Sequence, residues 1–235
     1  MTGALLGRGR TADVYAVGDD GAWVLRRYRD GGDTAREAAL MGRLAEAGCP
    51  VPAVREAAGA DLVLERLRGP SLAEAVLAGA WTPEGAGRLL AELLARLHAV
   101  PGGVAHLDLH PENVVLDEER GPVVIDWRTA REGTEPGLDR AMTALLLAEV
   151  AVSPAPYAEG ARACLAAFLG AVSGPLLLAE AGALRAADPC LSAEEVAGLG
   201  RAVALVREGV SGEGSGEVGE VDDRLAVDSG HVDVR

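Results

Sequence analysis

Three oxygen-bearing side chains stand close together near the middle of the chain. Asp108 and Asn113 both belong to the segment His106–Asn113, and Asp126 follows two short apolar runs. Pro111 keeps the backbone between Asp108 and Asn113 out of regular structure, so we expect a loop there. Carboxylate and amide oxygens are the ligands that Mg²⁺ prefers, and a carboxylate beside a hydroxyl can take its proton. The pattern is typical of a site that transfers a phosphoryl group from a nucleotide to a hydroxyl.

The composition narrows the chemistry further. All 22 basic side chains are arginine, since the chain contains no lysine, and Asn113 is the only asparagine. Without lysine there is no Walker A loop, no Schiff-base chemistry and no S-x-x-K acyl-transfer site. A single asparagine standing at a predicted metal-ligand position strengthens the magnesium interpretation.

A second metal chemistry can be read from the same segment. His106, Asp108 and His110 alternate, so on a true strand they would share one face and could bind Zn²⁺ or Fe²⁺ for hydrolysis or oxidation. Such a site needs a further ligand, and the two remaining histidines, His98 and His231, stand in no convincing context. We keep this metallohydrolase reading as the weaker alternative.

Charge and cysteine content indicate the environment. The net charge is -14, with no basic stripe, which argues against nucleic acid or an anionic membrane as the main partner. Cys49, Cys164 and Cys190 are far apart, so we expect neither a disulfide framework nor a cysteine metal site. The N-terminus lacks a basic segment followed by an apolar run, and later apolar stretches are interrupted. These features predict a soluble, cytoplasmic protein.

The order of short apolar runs and helical patterns predicts an α+β fold in which strands come first and helices follow. Three regions are expected: 1–68, short strands with one helix; 69–208, mostly helix; and 209–235, an acidic tail that buries too little to be ordered. The predicted strands are 12–17, 22–28, 61–65, 114–116 and 123–125. The predicted helices are 33–47, 82–98, 138–151, 157–171, 175–187 and 192–208.

The segment H-x-D-x-x-x-x-N, followed by a hairpin that ends in I-D-W, resembles the kinase-like phosphotransferases of the aminoglycoside phosphotransferase and choline kinase group. Four further pieces occur in the expected order over roughly residues 3–140. They are a glycine-rich turn with Gly7 and Gly9, a strand at 23–26, a helix that contains Glu37, and a hinge-like segment at 63–67.

The resemblance implies a protein-kinase-like two-lobe fold and a set of roles. Asp108 would accept or orient the proton of the hydroxyl, and Asn113 and Asp126 would hold Mg²⁺. The nucleotide, ATP or GTP, would be bound by the glycine-rich turn (Gly7, Gly9), by Arg26 with its partner Glu37, and by the backbone of Glu65 and Leu67. Asp139 would tie down the catalytic loop without taking part in the reaction.

An arginine stands where this family usually has its phosphate-binding lysine. Arg26 and Arg27 are both candidates, and strand alternation favours Arg26 because Arg27 would face the other way. A guanidinium can pair with Glu37 and hold phosphate oxygens with two N–H groups.

Two functions follow from the resemblance. The first is an ATP- and Mg²⁺-dependent kinase of a small molecule, such as an aminoglycoside-like compound, an amino alcohol or a sugar. The second is a pseudokinase-like module that binds a nucleotide or other ligand without transfer. Only twelve residues separate Asp126 from Asp139, which leaves no room for a long activation loop and disfavours a peptide acceptor. The oligomeric state is left open.

Overall fold

The computed structural model describes residues 3–18 and 21–213, which form an N-terminal antiparallel sheet followed by helices. The five strands of the sheet lie in the order β1-β2-β3-β5-β4. They are β1 (Leu5–Arg8), β2 (Ala12–Val17), β3 (Trp23–Tyr28), β4 (Val54–Ala58) and β5 (Asp61–Glu65), with helix α1 (Ala35–Glu46) between β3 and β4.

Strand β3 lies at the centre of this sheet and carries the candidate arginines. It pairs with β2 from Ala12 opposite Tyr28 to Val17 opposite Trp23, and with β5 on its other edge. Helix α1 places Leu40, Met41 and Leu44 in the core at helical spacing. The alternation of β3 therefore decides which arginine faces α1.

The C-terminal part is built from six helices in the described residues. They are α2 (Leu72–Leu77), α3 (Pro83–His98), α4 (Pro136–Ala151), α5 (Ala158–Ala171), α6 (Leu178–Ala186) and α7 (Ala193–Glu213). Helices α3 and α5 pack closely at Gly87, where a β-carbon would lie 2.2 Å from the carbonyl oxygen of Cys164. Phe168, Leu90 and Leu145 fill the core among α3, α4 and α5.

Two short antiparallel pairs hold the loop that carries Asp108. One is the pair β6 (Val104–Ala105) and β9 (Arg131–Glu132), and the other is the hairpin β7 (Val114–Asp117) and β8 (Gly121–Val124). The hairpin pairs Val114 with Val124. The end of the loop between β6 and β7 therefore lies close to the start of the segment that follows β8.

The linker between the sheet and the helices is fixed on this hairpin. The N–H of Leu116 donates to the carbonyl of Pro70 over 2.9 Å, and the N–H of Arg68 donates to the Asp117 carboxylate over 2.7 Å. Gly69 has a φ of 145°, and a β-carbon there would lie 2.0 Å from the Leu116 carbonyl oxygen. Only glycine allows this close approach.

The structure confirms the strands-then-helices order and all six predicted helices, with shifts at their ends. The predicted strands and helices do not include β1, β4, the short pair β6–β9 or α2, although Ser71 and Glu74 form a capping box at the start of α2. Helix α7 continues to Glu213, so it extends into the predicted acidic tail, and residues 214–235 lie outside the described part of the chain. The regional boundary near residue 68 stays a prediction. Within the described residues, none of the helices combines the length and apolar character that crossing a bilayer requires.

Candidate functional site

Asp139, near the start of α4, fixes the beginning of the catalytic loop. Its carboxylate is fully buried and accepts the backbone N–H groups of His106, over 2.9 Å, and Leu107, over 2.8 Å. The ring of His98 lies 3.0 Å from the same carboxylate. Leu107 has a φ of 63°, a conformation that a β-carbon disfavours and that these bonds hold in place. Asp139 therefore supports the loop, as the resemblance implied.

His106 braces the loop from inside. Its Nε2 lies 3.0 Å from the Ile125 carbonyl, and its Nδ1 accepts the N–H of Asp108 over 3.2 Å. This pattern assigns the proton to Nε2 and leaves neither nitrogen for a metal. In the described residues, no three or more histidine, cysteine or acidic side chains are grouped to hold a metal ion. The alternating His106, Asp108 and His110 therefore lack the arrangement that the metallohydrolase reading requires.

Asn113 and His110 surround the Asp108 carboxylate. The side-chain amide N–H₂ of Asn113 donates to the Asp108 backbone carbonyl over 2.8 Å and lies 3.2 Å from its Oδ2 and 3.1 Å from His110 Nε2. Because the amide nitrogen is bound on this side, the Oδ1 of Asn113 faces away from Asp108.

Burial raises the pKa of the Asp108 carboxyl, and the negative charge of Asp126 adds to this, whereas His110 and His106 oppose it. Burial also lowers the pKa of His110. A carboxyl with a raised pKa is a better proton acceptor than an ordinary aspartate when it is ionised, which suits a general base.

Asp126 follows β8 in a left-handed conformation, with a φ of 64° and a ψ of 63°. The N–H of the preceding residue, Ile125, donates to the Asn113 carbonyl over 3.0 Å, so this bond holds the backbone next to Asp126 against Asn113. The following residue, Trp127, is buried and donates its indole N–H to the Val124 carbonyl over 2.9 Å. Trp127 therefore packs in the core, and the strained backbone places Asp126 beside Asn113.

Arg26, not Arg27, lies at this site. Its guanidinium donates to Asp126 Oδ1, and its Nη1 lies 3.6 Å from Glu37 Oε1. Arg27 faces the other side of the sheet and pairs with Asp61 at 2.5 Å. The structure thus brings together Arg26 from the sheet, Glu37 from α1 and Asp126 from the segment after β8.

Glu37 is buried rather than solvated, which excludes the simplest interpretation of an acidic residue on an amphipathic helix. It is 7% exposed and accepts the hydroxyl of Tyr28 over 2.6 Å. Burial raises the pKa of the Glu37 carboxyl, although Tyr28 and Arg26 oppose this. Burial lowers the pKa of the Arg26 guanidinium, but the negative charge and hydrogen bond of Asp126, with Tyr28 and Glu37 contributing less, outweigh burial and raise this pKa overall.

The glycine-rich turn lies between β1 and β2 and is held by a residue that sequence analysis missed. Gly7 lies in β1, and the N–H of Gly9 donates to the Ala12 carbonyl over 2.8 Å. The Arg29 guanidinium donates to the carbonyls of Gly9, over 2.6 Å, and Arg10. In the sequence, Arg29 is marked only by its position directly after the strand that carries Arg26, which does not indicate a contact with the glycine-rich turn.

The hinge-like segment follows β5. The Glu65 side chain accepts the Ala53 N–H over 3.0 Å and pairs with Arg120, so it faces the sheet and hairpin. The N–H of Leu67 has no hydrogen-bond partner in the described part of the chain. The N–H of Leu67 can therefore donate to a ligand, and its contact with the nucleotide base stays a prediction.

Comparison with known families supports the resemblance. Residues 2–107 match the family model named APH, described as a phosphotransferase enzyme family, and no curated protein matches the chain. The match contains Gly7, Gly9, Arg26, Glu37, Glu65 and Leu67. The similarity of the chain to the aminoglycoside phosphotransferase family is thus confirmed over these residues, and members of that family are phosphotransferases. The match ends one residue before Asp108, so the roles of Asp108, Asn113 and Asp126 depend on geometry.

Proposed function

We propose that this chain, related over residues 2–107 to the phosphotransferase enzyme family, is a kinase-like, two-lobed enzyme that phosphorylates a hydroxyl of a small molecule. The donor is ATP or GTP, and Mg²⁺ is the cofactor. One observation carries the proposal: Arg26 of the sheet pairs with Asp126, beside the loop that holds Asp108 and Asn113. The predicted phosphate-binding cation, metal ligands and base therefore converge on one point.

The donor set suits a hard divalent cation. The carboxylate of Asp126 and the Oδ1 of Asn113 are the oxygen ligands that Mg²⁺ takes. Burial raises the pKa of the half-buried Asp108, and the negative charge of Asp126 adds to this, so a bound cation would favour the ionised carboxylate. When bound, Mg²⁺ supplies charge neutralisation on the transferred phosphoryl group.

The reaction needs a base beside the acceptor hydroxyl, and Asp108 is placed to be that base. The Asn113 amide donates to its carboxylate from one side, and His106 Nδ1 accepts its backbone N–H. The remaining surface of the carboxylate can accept the proton of the attacking hydroxyl. Positioning and electrostatics then contribute most of the rate enhancement.

Two arginines handle the phosphates in this proposal. Arg26 is 13% exposed and is oriented by acids on both sides, so its planar fork is pre-organised for phosphate oxygens. Arg29 acts through the glycine-rich turn. Because a trans peptide places its C=O and N–H on opposite sides, drawing the carbonyls of Gly9 and Arg10 toward Arg29 directs the following N–H groups the other way. Two consecutive N–H groups that face one side form an anion-binding nest.

The surroundings of Asp108 bear on the acceptor. The nearby cation Arg185, on α6, is already paired with Glu149, at 2.9 Å, and with Asp188, at 2.9 Å. This cluster, together with Asp108, carries more negative than positive charge. We therefore favour an acceptor that carries an amine, such as an amino sugar or an amino alcohol.

Nucleotide turnover with a panel of hydroxylated acceptors tests the proposal. The Asp108→Asn variant should lose turnover and keep the increase in melting temperature that Mg·ATP produces in the wild type. Asp61→Asn, which alters a carboxylate on the far face of the sheet, is the matched control and should keep both. If the wild type neither consumes nucleotide nor is stabilised by Mg·ATP or Mg·GTP, the proposal is wrong.

The second candidate is a binding module without transfer. The observation that favours it is Arg26 itself, because a guanidinium held by both Glu37 and Asp126 must give up contacts when a nucleotide enters. Stabilisation by nucleotide with no turnover for any acceptor would select this module. Recovery of turnover in Arg26→Lys would identify the arginine as the cause.

A further inference from the structure

A cavity lies beside α1, with Glu37 and Trp127 in its wall. Its volume is about 170 Å³, and it is formed by the end of β3, by α1 and by residues 127–130. Tyr28 and Trp127, both buried, contribute aromatic surface, and Leu40 contributes apolar surface. The charged lining comes from Asp33, from Arg36 and Glu37 on α1, and from Arg128.

Two buried polar atoms without a hydrogen bond belong to side chains that line this cavity. In the part of the chain that the structure describes, four buried side-chain atoms have no hydrogen-bond partner, and two of them are Arg128 Nη1 and Glu37 Oε1. Buried polar groups are nearly always paired, so Arg128 Nη1 indicates a missing partner. Glu37 Oε1 has an ion pair with Arg26 Nη1 at 3.6 Å but accepts no hydrogen bond. One is a cationic donor and the other is a carboxylate acceptor.

The neighbours of Arg128 keep its guanidinium at the wall. It lies over the Tyr28 ring, with its central carbon 4.3 Å from the ring centroid, and it pairs with Asp30 through Nη2. Among residues 3–18 and 21–213, the Arg36 side chain makes one hydrogen bond, a long one of 3.4 Å to the Ala130 carbonyl. Two arginine side chains with spare hydrogen-bonding capacity thus line the same cavity as the Glu37 carboxylate.

We propose that this cavity binds a small zwitterion of amino-acid size, with its carboxylate on Arg128 and Arg36 and its ammonium group on Glu37. A guanidinium prefers a carboxylate, and a carboxylate prefers an ammonium group. An inorganic anion would satisfy the arginines but bring a like charge to Glu37, and a simple amine would have the converse defect. The apolar surface of Leu40 and Trp127 accommodates a short side chain.

Such a ligand would be coupled to the first site. Glu37 also faces Arg26 at 3.6 Å and accepts the Tyr28 hydroxyl, so a bond to its Oε1 changes the environment of the predicted phosphate-binding arginine. The ligand and the nucleotide would then alter each other's affinity by the same factor. This coupling rests on the proposed function, whereas the binding itself does not.

Calorimetry and thermal melting on the full chain without nucleotide test the site. The probes are glycine, alanine and serine, with propionate, propylamine and inorganic phosphate as matched single-charge compounds. We expect an amino acid to bind and raise the melting temperature. Arg128→Gln should weaken its binding about tenfold or more, and Arg27→Gln, an exposed arginine outside the cavity, should leave it unchanged.

A filling variant, Ala130→Leu, gives a second measurement, because it blocks the cavity without removing a charge. It should abolish amino-acid binding while the circular dichroism spectrum stays that of the wild type. Binding of phosphate or propionate alone would overturn the zwitterion assignment. An absence of any binding would show that the cavity holds water only, and equal binding to wild type, Arg128→Gln and Ala130→Leu would place the ligand elsewhere.

Discussion

The two ends of the catalytic loop are built differently. At its start, the N–H groups of His106 and Leu107 are bound by the buried Asp139, whose carboxylate has three partners within 3.0 Å. Farther along, Asp108 is half-buried beside Asp126, and its pKa is raised by burial and by that neighbouring charge. The Asp139 carboxylate therefore has hydrogen-bond partners that stabilise it, whereas the surroundings of Asp108 disfavour its ionised form.

The difference separates stability from reactivity. A fully hydrogen-bonded buried carboxylate stabilises the fold, and a carboxylate whose ionised form is disfavoured does the opposite. Proteins keep unfavourable groups of this kind at functional sites when the surrounding structure holds them in place. Here the hydrogen bonds of Asp139 stabilise the start of the loop and offset the unfavourable burial of the Asp108 carboxylate.

Replacing the reactive carboxylate should give the largest effect. Asp108→Asn removes the proposed base, so turnover should fall by about 10²- to 10⁴-fold. The melting temperature at neutral pH should not decrease, because a raised pKa means that the ionised carboxyl disfavours the folded state there. Steady-state kinetics and thermal melting check the two parts. A lower melting temperature with intact turnover would assign Asp108 to the structural class of Asp139.

Replacing the anchoring carboxylate should have the opposite pattern. Asp139→Asn leaves one of the two loop N–H groups facing an N–H₂ donor, so the free energy of unfolding should fall by about 3 kcal/mol. Chemical denaturation measures the loss. Glu135→Gln, at the exposed N-terminal end of the same helix, is the control and should change little. An unchanged stability for Asp139→Asn would contradict the anchoring role.

Arg29 holds the glycine-rich turn as Asp139 holds the catalytic loop, but its side chain is exposed. Arg29 is about half exposed and holds the carbonyls of Gly9 and Arg10, so Arg29→Gln should leave stability nearly intact. Affinity for Mg·ATP should fall by about tenfold, whereas adenosine, which lacks phosphates, should bind as before. Isothermal titration with both ligands measures this difference. Arg27→Gln is the control, and equal losses for ATP and adenosine would show that Arg29 does not act through phosphate binding.

The smallest effect concerns Glu37, which combines features of both aspartates. Burial raises the pKa of its carboxyl, so the folded state keeps this proton to a higher pH than the unfolded state does. Wild-type stability should therefore fall, relative to Glu37→Gln, as the pH rises from about 4, near the ordinary glutamate pKa, toward neutrality. Melting curves over this range measure the difference. Glu46→Gln, an exposed change on the same helix, should show no such trend, and a trend of the opposite sign would contradict the effect of burial.

Several residues of the site could be predicted because their signal is local. The spacing of Asp108 and Asn113 with Pro111 between them identifies a loop that carries oxygen ligands. The alternation of β3 selects Arg26 over Arg27, and the structure confirms that these two side chains face opposite sides. The helices from α3 onward were predicted because their apolar periodicity is long.

Other features could not be read from local patterns. Strand β4 is mostly exposed and lies at the edge of the sheet, so its residues carry no apolar alternation. Helix α2 is short, and only its capping box marks it. The role of Arg29 is visible only from the carbonyls that it binds, which belong to the turn between β1 and β2 and not to its own part of the chain.

The sequence by itself determined which side chains could do the chemistry, the order of sheet and helices, and the presence of an arginine where a lysine is usual. Only the tertiary structure decided that this arginine pairs with Asp126, that Glu37 is buried, and that the side chains of Glu37 and Arg128 line one cavity. The reason is physical. Residue type and spacing are local properties, whereas burial and charge pairing depend on which distant segments the fold brings into contact.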